Sequence, residues 1–304
     1  MNTKSYAPAS VSNVVAGGIA DNIVLSEPSA GQASAGNFFA PQAFTAKKIS
    51  YTRDFKQETE IGVCQGWETI SLPFDAQTIT HETNGNIAPF AKGDKEARPF
   101  WLYELAPNGG FQATATLKAN TPYIISMPNS QSYSDEYILG GKVTFAASDV
   151  NIEATEQAST KNNSREFVTS FEQIGKQNGV YALNVGQEYQ GYLPGSIFAE
   201  NFMDVRPFEA YLTTAEAAAR FYSLFSNGMT TGIEQIPTKE IGGLKAWANG
   251  STLYVLSDKA RTVQVFSTMG MLVRNIKVEA GETQQITDLP VGIYIVNKKK
   301  VAVK

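Results

Sequence analysis

Apolar and polar positions alternate in short runs along most of the chain, and glycine, proline and asparagine punctuate the runs. Residues 49–55 and 67–72 show the period of two expected of strands with one buried face, the second stopping at Pro73. Residues 99–105 form another such run, with Pro107, Asn108, Gly109 and Gly110 supplying a strong turn behind it. Residues 111–117 alternate again. Residues 122–127 are almost continuously apolar between prolines, which predicts a strand buried on both faces. A hairpin is expected from residues 137–139 and 142–145 around Gly140 and Gly141, with further strands over 166–171, 179–185 and 207–212. Residues 215–225 start with alanines that suit a helix, but Phe221, Ser223 and Phe225 alternate with Tyr222 and Leu224, which fits a closing strand better. Strands recurring roughly every 8–12 residues between turn signals mark a sandwich or barrel, and no helix–strand alternation marks a parallel sheet. The expected class is therefore all-β: a β-sandwich-type N-terminal body followed by a small Ig-like C-terminal β-sandwich.

The texture of the chain sets the boundaries. Residues 1–36 are rich in Ala, Ser, Gly and Asn and read as a loose N-terminal segment, ahead of an all-β body over 37–228. Residues 229–240 are polar, punctuated by Gly and Pro and without period, hence a linker. In residues 241–304, runs at 244–248 and 252–256 flank Asn249 and Gly250, a hairpin signal. Further strands over 262–266, 271–276, 283–286, 292–296 and 301–303 bring the count to about seven, enough for a small sandwich. Arg98-Pro99-Phe100 and Arg206-Pro207-Phe208 each precede an aromatic-rich strand, a match too short to make a repeat.

Charge follows the same division. Residues 241–304 hold nine Lys and Arg against four Asp and Glu, a net +5, so the overall −4 leaves −9 on residues 1–240. Lys298, Lys299 and Lys300 read as a solvated hairpin tip. No basic helix or interleaved aromatic stripe accompanies them, and nucleic acid is not expected as a partner.

Composition narrows the chemistry. A length of 304 residues suits two domains, and 42% hydrophobic residues with 17 Phe and 13 Tyr supply a strand-rich core. The only cysteine, Cys64, and the only histidine, His81, are too few for an internal disulfide or a zinc site. Cys64 is expected as a small buried hydrophobe. Ser-His-Asp chemistry would rest on His81, in a polar loop over residues 78–82 with no Gly-x-Ser-x-Gly elbow anywhere in the chain. Glu104, Asp135, Glu136 and Asp204 offer carboxylates for glycoside hydrolysis, but any chain with 29 acids offers such pairs. No EF-hand spacing occurs. No catalytic residue, metal or cofactor is expected. Residues 1–20 lack the apolar run, roughly 7–15 residues long, of a signal peptide, and no stretch reaches the roughly 18 apolar residues that span a bilayer.

Two blocks carry a resemblance. Residues 263–273, with Phe266-Ser267-Thr268-Met269-Gly270 at their centre, and residues 289–296, Leu-Pro-Val-Gly-Ile-Tyr-Ile-Val, follow the run at 252–256 and precede a last strand ending at Lys304. In order and content residues 241–304 resemble the C-terminal sorting domain of the type IX secretion system of Bacteroidetes. The body resembles surface proteins of the same phylum through residues 66–74, 119–125 and 207–212. The resemblance implies a secreted or cell-surface protein, addressed to the secretion machinery through residues 241–304 and read as a mature or truncated piece. Gly270 and Gly292 are expected to hold positive φ at turns.

Three functional readings follow. The first is a non-enzymatic surface interaction or adhesion module, whose body meets a host or glycan ligand. The second is a glycan-binding accessory module with Trp67, Trp101 and Tyr103 as stacking platform, against which stands core packing of the same aromatics. The third is a hydrolase. A pair of aromatics exposed on one face would favour the second.

Overall fold

The computed structural model describes residues 12–27, 36–60, 64–107, 110–155, 158–161, 165–214, 221–224, 244–249, 251–268, 271–287, 289–296 and 299–303. The protein is all-β. Ten strands build the first sheet: β1 (Ile19–Ala20), β2 (Ile23–Ser26), β3 (Phe44–Phe55), β4 (Glu68–Ile70), β5 (Thr78–His81), β6 (Gly85–Pro89), β7 (Arg98–Leu105), β8 (Phe111–Ala113), β9 (Tyr123–Ser126) and β10 (Gly141–Ile152). Their order is β1-β3-β10-β5-β6-β7-β9-β4, with β2 also on β3 and β8 on β7. A second sheet follows from β11 (Ser159–Lys161), β12 (Arg165–Ser170), β13 (Tyr181–Leu183), β14 (Ile197–Glu200), β15 (Glu209–Thr214) and β16 (Phe221–Ser223), in the order β11-β12-β15-β13-β14-β16.

The antiparallel pair β3–β10 runs in constant register from Gly141 opposite Phe55 to Ile152 opposite Phe44. Along β3 the inward residues are Phe44 and Ala46, then Ile49, Tyr51, Arg53 and Phe55. The period slips by one at Lys47, and β10 slips at the facing Asp149, which adopts φ 52°. Both strands change phase together, so the apolar faces stay on one side.

The paired strands β7 and β9 explain where the bulk of the aromatics goes. Phe100, Leu102, Tyr123 and Ile125 enter one apolar cluster, whereas Trp101, Tyr103, Leu105 and Ile124 enter another, shared with Phe167, Tyr181, Phe198 and Leu212 of the second sheet. A strand with a core on each face needs a continuous apolar run, and all four residues of β9 are buried. At the junction of the sheets the Ser71 amide donates to the Phe208 carbonyl (2.9 Å), and the Ala210 amide to Thr69 Oγ1 (3.0 Å).

A separate apolar cluster is built from residues 244–303 alone. Its strands are β17 (Leu244–Asn249), β18 (Thr252–Ser257), β19 (Arg261–Ser267), β20 (Leu272–Val278), β21 (Thr283–Ile286), β22 (Gly292–Val296) and β23 (Lys299–Val303). They form two sheets, β17-β18-β21 and β20-β19-β22-β23. Relabelled A to G this is ABE over DCFG, the Greek-key arrangement of Ig-like sandwiches with the fourth strand on the CFG sheet. Tyr294, early in the sixth strand, donates from Oη to the Pro290 carbonyl at 2.7 Å, the tyrosine-corner bond of that architecture.

Several expectations need correction. Part of the segment read as loose is ordered: β1 and β2 pair parallel with β3 and bury Ala20 and Ile23, because two short apolar pairs suffice when a long strand presents its free edge. The hairpin over 137–145 does not form. Residues Asp135–Tyr137 make a 3-10 turn, the Leu139 amide donates to Pro128, and β10 pairs with β3 and β5 instead. The run 111–117 is a strand only to Ala113. Thr78–His81, read as polar loop, is a strand because β10 pairs with it. Gly292 has no positive φ, being an extended residue paired with Val303. The linker over 229–240, Gly270, the turn residues Asn108 and Gly109, Gly250, Lys298 and Lys304 lie outside the described residues.

Candidate functional site

Trp67, Trp101 and Tyr103 are brought together, but inside the molecule. Trp67 is 0%, Trp101 1% and Tyr103 8% exposed, all in the cluster between the two sheets. Trp67 meets the Tyr103 ring edge to face at 5.3 Å, and Trp101 packs on Tyr133 at 6.1 Å. Backbone seals Trp67 from the other side. A Cβ on Gly195 would lie 2.5 Å from both the Trp67 nitrogen and oxygen, and the Gly66 amide donates to Pro194 at 2.9 Å. A sugar-stacking platform needs a solvent-facing ring, so this trio is corrected to core packing. The residues alternate as a half-buried strand would, and only the second sheet reveals that both faces are covered.

The most concentrated polar chemistry is also interior. Arg53 projects inward from β3, and its Nη2 meets Glu68 Oε2 of β4 at 2.6 Å and Glu209 Oε1 of β15 at 3.3 Å. Arg53 Nη1 donates to the Thr69 carbonyl at 2.6 Å. Arg206 holds the same Glu209 oxygen through Nη2 at 2.7 Å and reaches Glu27, just beyond β2, through Nη1 at 2.6 Å. Phe208 adopts φ 66°, a left-handed turn that returns the Glu209 carboxylate to the Arg206 amide, which donates to Oε2 at 2.8 Å. Burial pushes the Glu68 carboxyl above its usual range, with Arg53 opposing. Burial would lower the Arg53 guanidinium, but Glu68 and its neighbours hold it above its ordinary value. Arg53, Glu68 and Glu209 are all less than 9% exposed. The network ties four chain segments together and has no room for a substrate between its carboxylates.

The remaining chemistry-bearing residues are engaged locally. His81 closes the β5–β6 turn, its Nδ1 accepting from the Thr83 and Asn84 amides at 3.3 and 3.2 Å while Nε2 donates to the Gly140 carbonyl at 3.2 Å. Burial pushes the Cys64 thiol up to about 12, which keeps the sulfur protonated and unreactive. Glu104 accepts from Gln112, Asp204 accepts from Gln173 and the Lys176 amide, and Asp135 and Glu136 lie in the 3-10 turn. Among the described residues no three His, Cys, Asp or Glu side chains gather as a metal site, and no helix is long and apolar enough to cross a membrane.

Among the described residues there is a cleft of about 480 Å3 beside β2, within the range of ligand sites, about 300–1,000 Å3. Val15, Ile23, Leu25, Phe38, Phe39 and Phe44 line it, with amides from Asn13, Asn37 and Gln42 and, among the described residues, no charged side chain. Phe39 is 66% exposed at its mouth. One wall is fixed by Asn13, whose amide pairs with the free edge of β2: the Val24 amide donates to Oδ1 at 2.7 Å and Nδ2 donates to the Val24 carbonyl at 3.0 Å. Reading residues 1–36 as loose hid this site. The signal that points to it is the apolar trio Ile23, Val24 and Leu25, with Phe38 and Phe39 downstream. Comparison with family models, with curated proteins and with solved structures finds no match.

Proposed function

We propose that the chain is an exported, non-enzymatic cell-surface protein. Its body is an interaction or adhesion module, and residues 241–304 are a sorting-type sandwich addressed to a type IX secretion apparatus. The observation that carries the reading is the contrast within the body: His81, Glu104, Asp204 and the Arg53 network are engaged in structural bonds and Cys64 is buried, while a neutral apolar cleft lies among the described residues. The C-terminal unit supports the export half. The described residues of both resemblance blocks fall on its framework, one set along the β19–β20 pair and one leading through the tyrosine corner into β22.

Two measurements test the halves separately. A secreted reporter fused to residues 241–304 should reach the surface or medium of a type IX-competent Bacteroidetes host and stay inside a mutant lacking that apparatus; equal export from both strains removes the sorting role. The purified chain should be retained on an epithelial layer, and Phe39→Asp, at a largely exposed position, should lower retention several-fold without altering the fold. Retention no greater than that of an unrelated β-sandwich overturns the adhesion reading.

A further inference from the structure

A rigid aromatic tip lies outside the cleft. Tyr189, Gln190, Gly191 and Tyr192 form a two-residue hairpin turn in which the Tyr192 amide donates to the Tyr189 carbonyl at 2.8 Å and the Tyr189 amide to the Tyr192 carbonyl at 3.1 Å. Gln190 and Gly191 have φ of 49° and 86°, the paired positive values of a type I′ turn. Directly opposed residues of an antiparallel pair project from the same face, so the bridge between Tyr189 and Tyr192 puts their side chains on one face of the turn. Phe202 supports Tyr189 from behind, ring centroids 4.8 Å apart. Tyr192 is 38% and Leu193 41% exposed, Tyr189 is half-buried beside them, and Gln187, Glu188 and Gln190 surround the pair as exposed polar side chains.

The base of this loop is built to hold the tip still. Asn184, fully buried, donates from Nδ2 to the Gln187 and Leu193 carbonyls, both at 2.9 Å, and accepts at Oδ1 from the Ser196 and Ile197 amides at 2.9 and 3.0 Å. Ser196 Oγ adds a 2.6 Å bond to Leu193, and Gly195 lies against the Trp67 backbone. A surface loop of this length is ordinarily mobile. Here a saturated buried amide removes that freedom in advance, which lowers the ordering cost of binding.

We infer that the Tyr189–Tyr192 tip is a saccharide-binding platform, taking the apolar face of a pyranose ring on the tyrosines and its hydroxyls on the flanking amides and carboxylate. This rests on reading the body as an interaction module and places the glycan contact on this loop rather than on Trp67, Trp101 and Tyr103. Two rings and a leucine offer far less than the roughly 800 Å2 per partner of a stable protein interface, whereas they match one or two sugar rings. Tyrosine suits the task, a flat amphipathic surface with few rotors to immobilise.

The test titrates the full chain with soluble cello-, xylo-, manno-, malto- and chito-hexaose by calorimetry, alongside the epithelial retention assay. At least one oligosaccharide should bind saturably. Tyr192→Ala should weaken that binding about tenfold or more, as truncation of an aromatic anchor does, while Tyr192→Phe, which keeps the ring, should stay within about threefold. Gly191→Ala keeps both rings but strains the turn at its positive φ, and it too should weaken binding. Saturable binding by none of the five, or binding unchanged in Tyr192→Ala, overturns the platform. If cell retention survives that result, the interaction module stands with a protein-type contact; if retention is also absent, both readings fall.

Discussion

Arg53 shows what burying a charge requires at the scale of one residue. Its guanidinium sits between two carboxylates, with the Thr69 carbonyl on its other terminal nitrogen. Removing it strands Glu68 and Glu209 in the interior, so Arg53→Ala should cost about 3–5 kcal/mol, read from urea unfolding with an unchanged slope. Glu68 gives a pH prediction. Burial raises its folded-state pKa, so the native state holds the proton more tightly than the unfolded chain. That contribution is fully present below the unfolded value and is lost as pH rises through the folded one. The stability of the wild type minus that of Glu68→Gln should therefore fall as pH rises above the ordinary carboxylate range, and a difference that rose instead would mean Arg53 outweighs desolvation. Aspartates such as Asp75 run the other way: burial raises the carboxyl, but the Ala119 amide and Lys118 bring it below its usual range, giving stability that is lost on acidification.

At the scale of elements, what was legible depended on who the partners were. The C-terminal strands could be read closely because most are short apolar-rich runs and six of the seven pair with the next strand in sequence, β17 with β18, β19 with β20 and β22 with β23. Strand β9 was legible for a different reason, its apolar run having no polar face to hide. The missed strands lack that autonomy. Thr78–His81 carries only Ile79 as a core aliphatic residue and is a strand because β10 covers it, while β1 and β2 depend on the edge of β3. The same dependence hid the cleft, whose floor exists only after these elements dock. Asn13 gives a direct test. Its amide completes the outer edge of β2 as a neighbouring strand would, so Asn13→Ala should speed hydrogen exchange at the Val24 amide by about fivefold, the equivalent of losing about 1 kcal/mol of local protection. Exchange at the Ile125 amide, in β9, should stay unchanged.

For the whole molecule, the division of apolar clusters sets the expected cooperativity. Val265 is fully buried in the cluster of residues 244–303, and Ile125 is fully buried in one formed from residues 20–208. Scanning calorimetry should resolve two transitions. Val265→Ala should lower only one and Ile125→Ala only the other, each by about 2–4 kcal/mol; coincident shifts would show a single cooperative unit. The long β3–β10 ladder also has a consequence in time. Thr52 and Thr144 face each other across it, 92 residues apart in the chain, so closing the loop must precede any gain from the pairing, and such topologies fold slowly. A chain emerging from its N-terminus holds β3 without its longest partner until residue 152 has appeared. During that interval the nascent body is a soft, threadable polymer with an adhesive strand, and chaperone capture, not native rigidity, has to keep it from its neighbours.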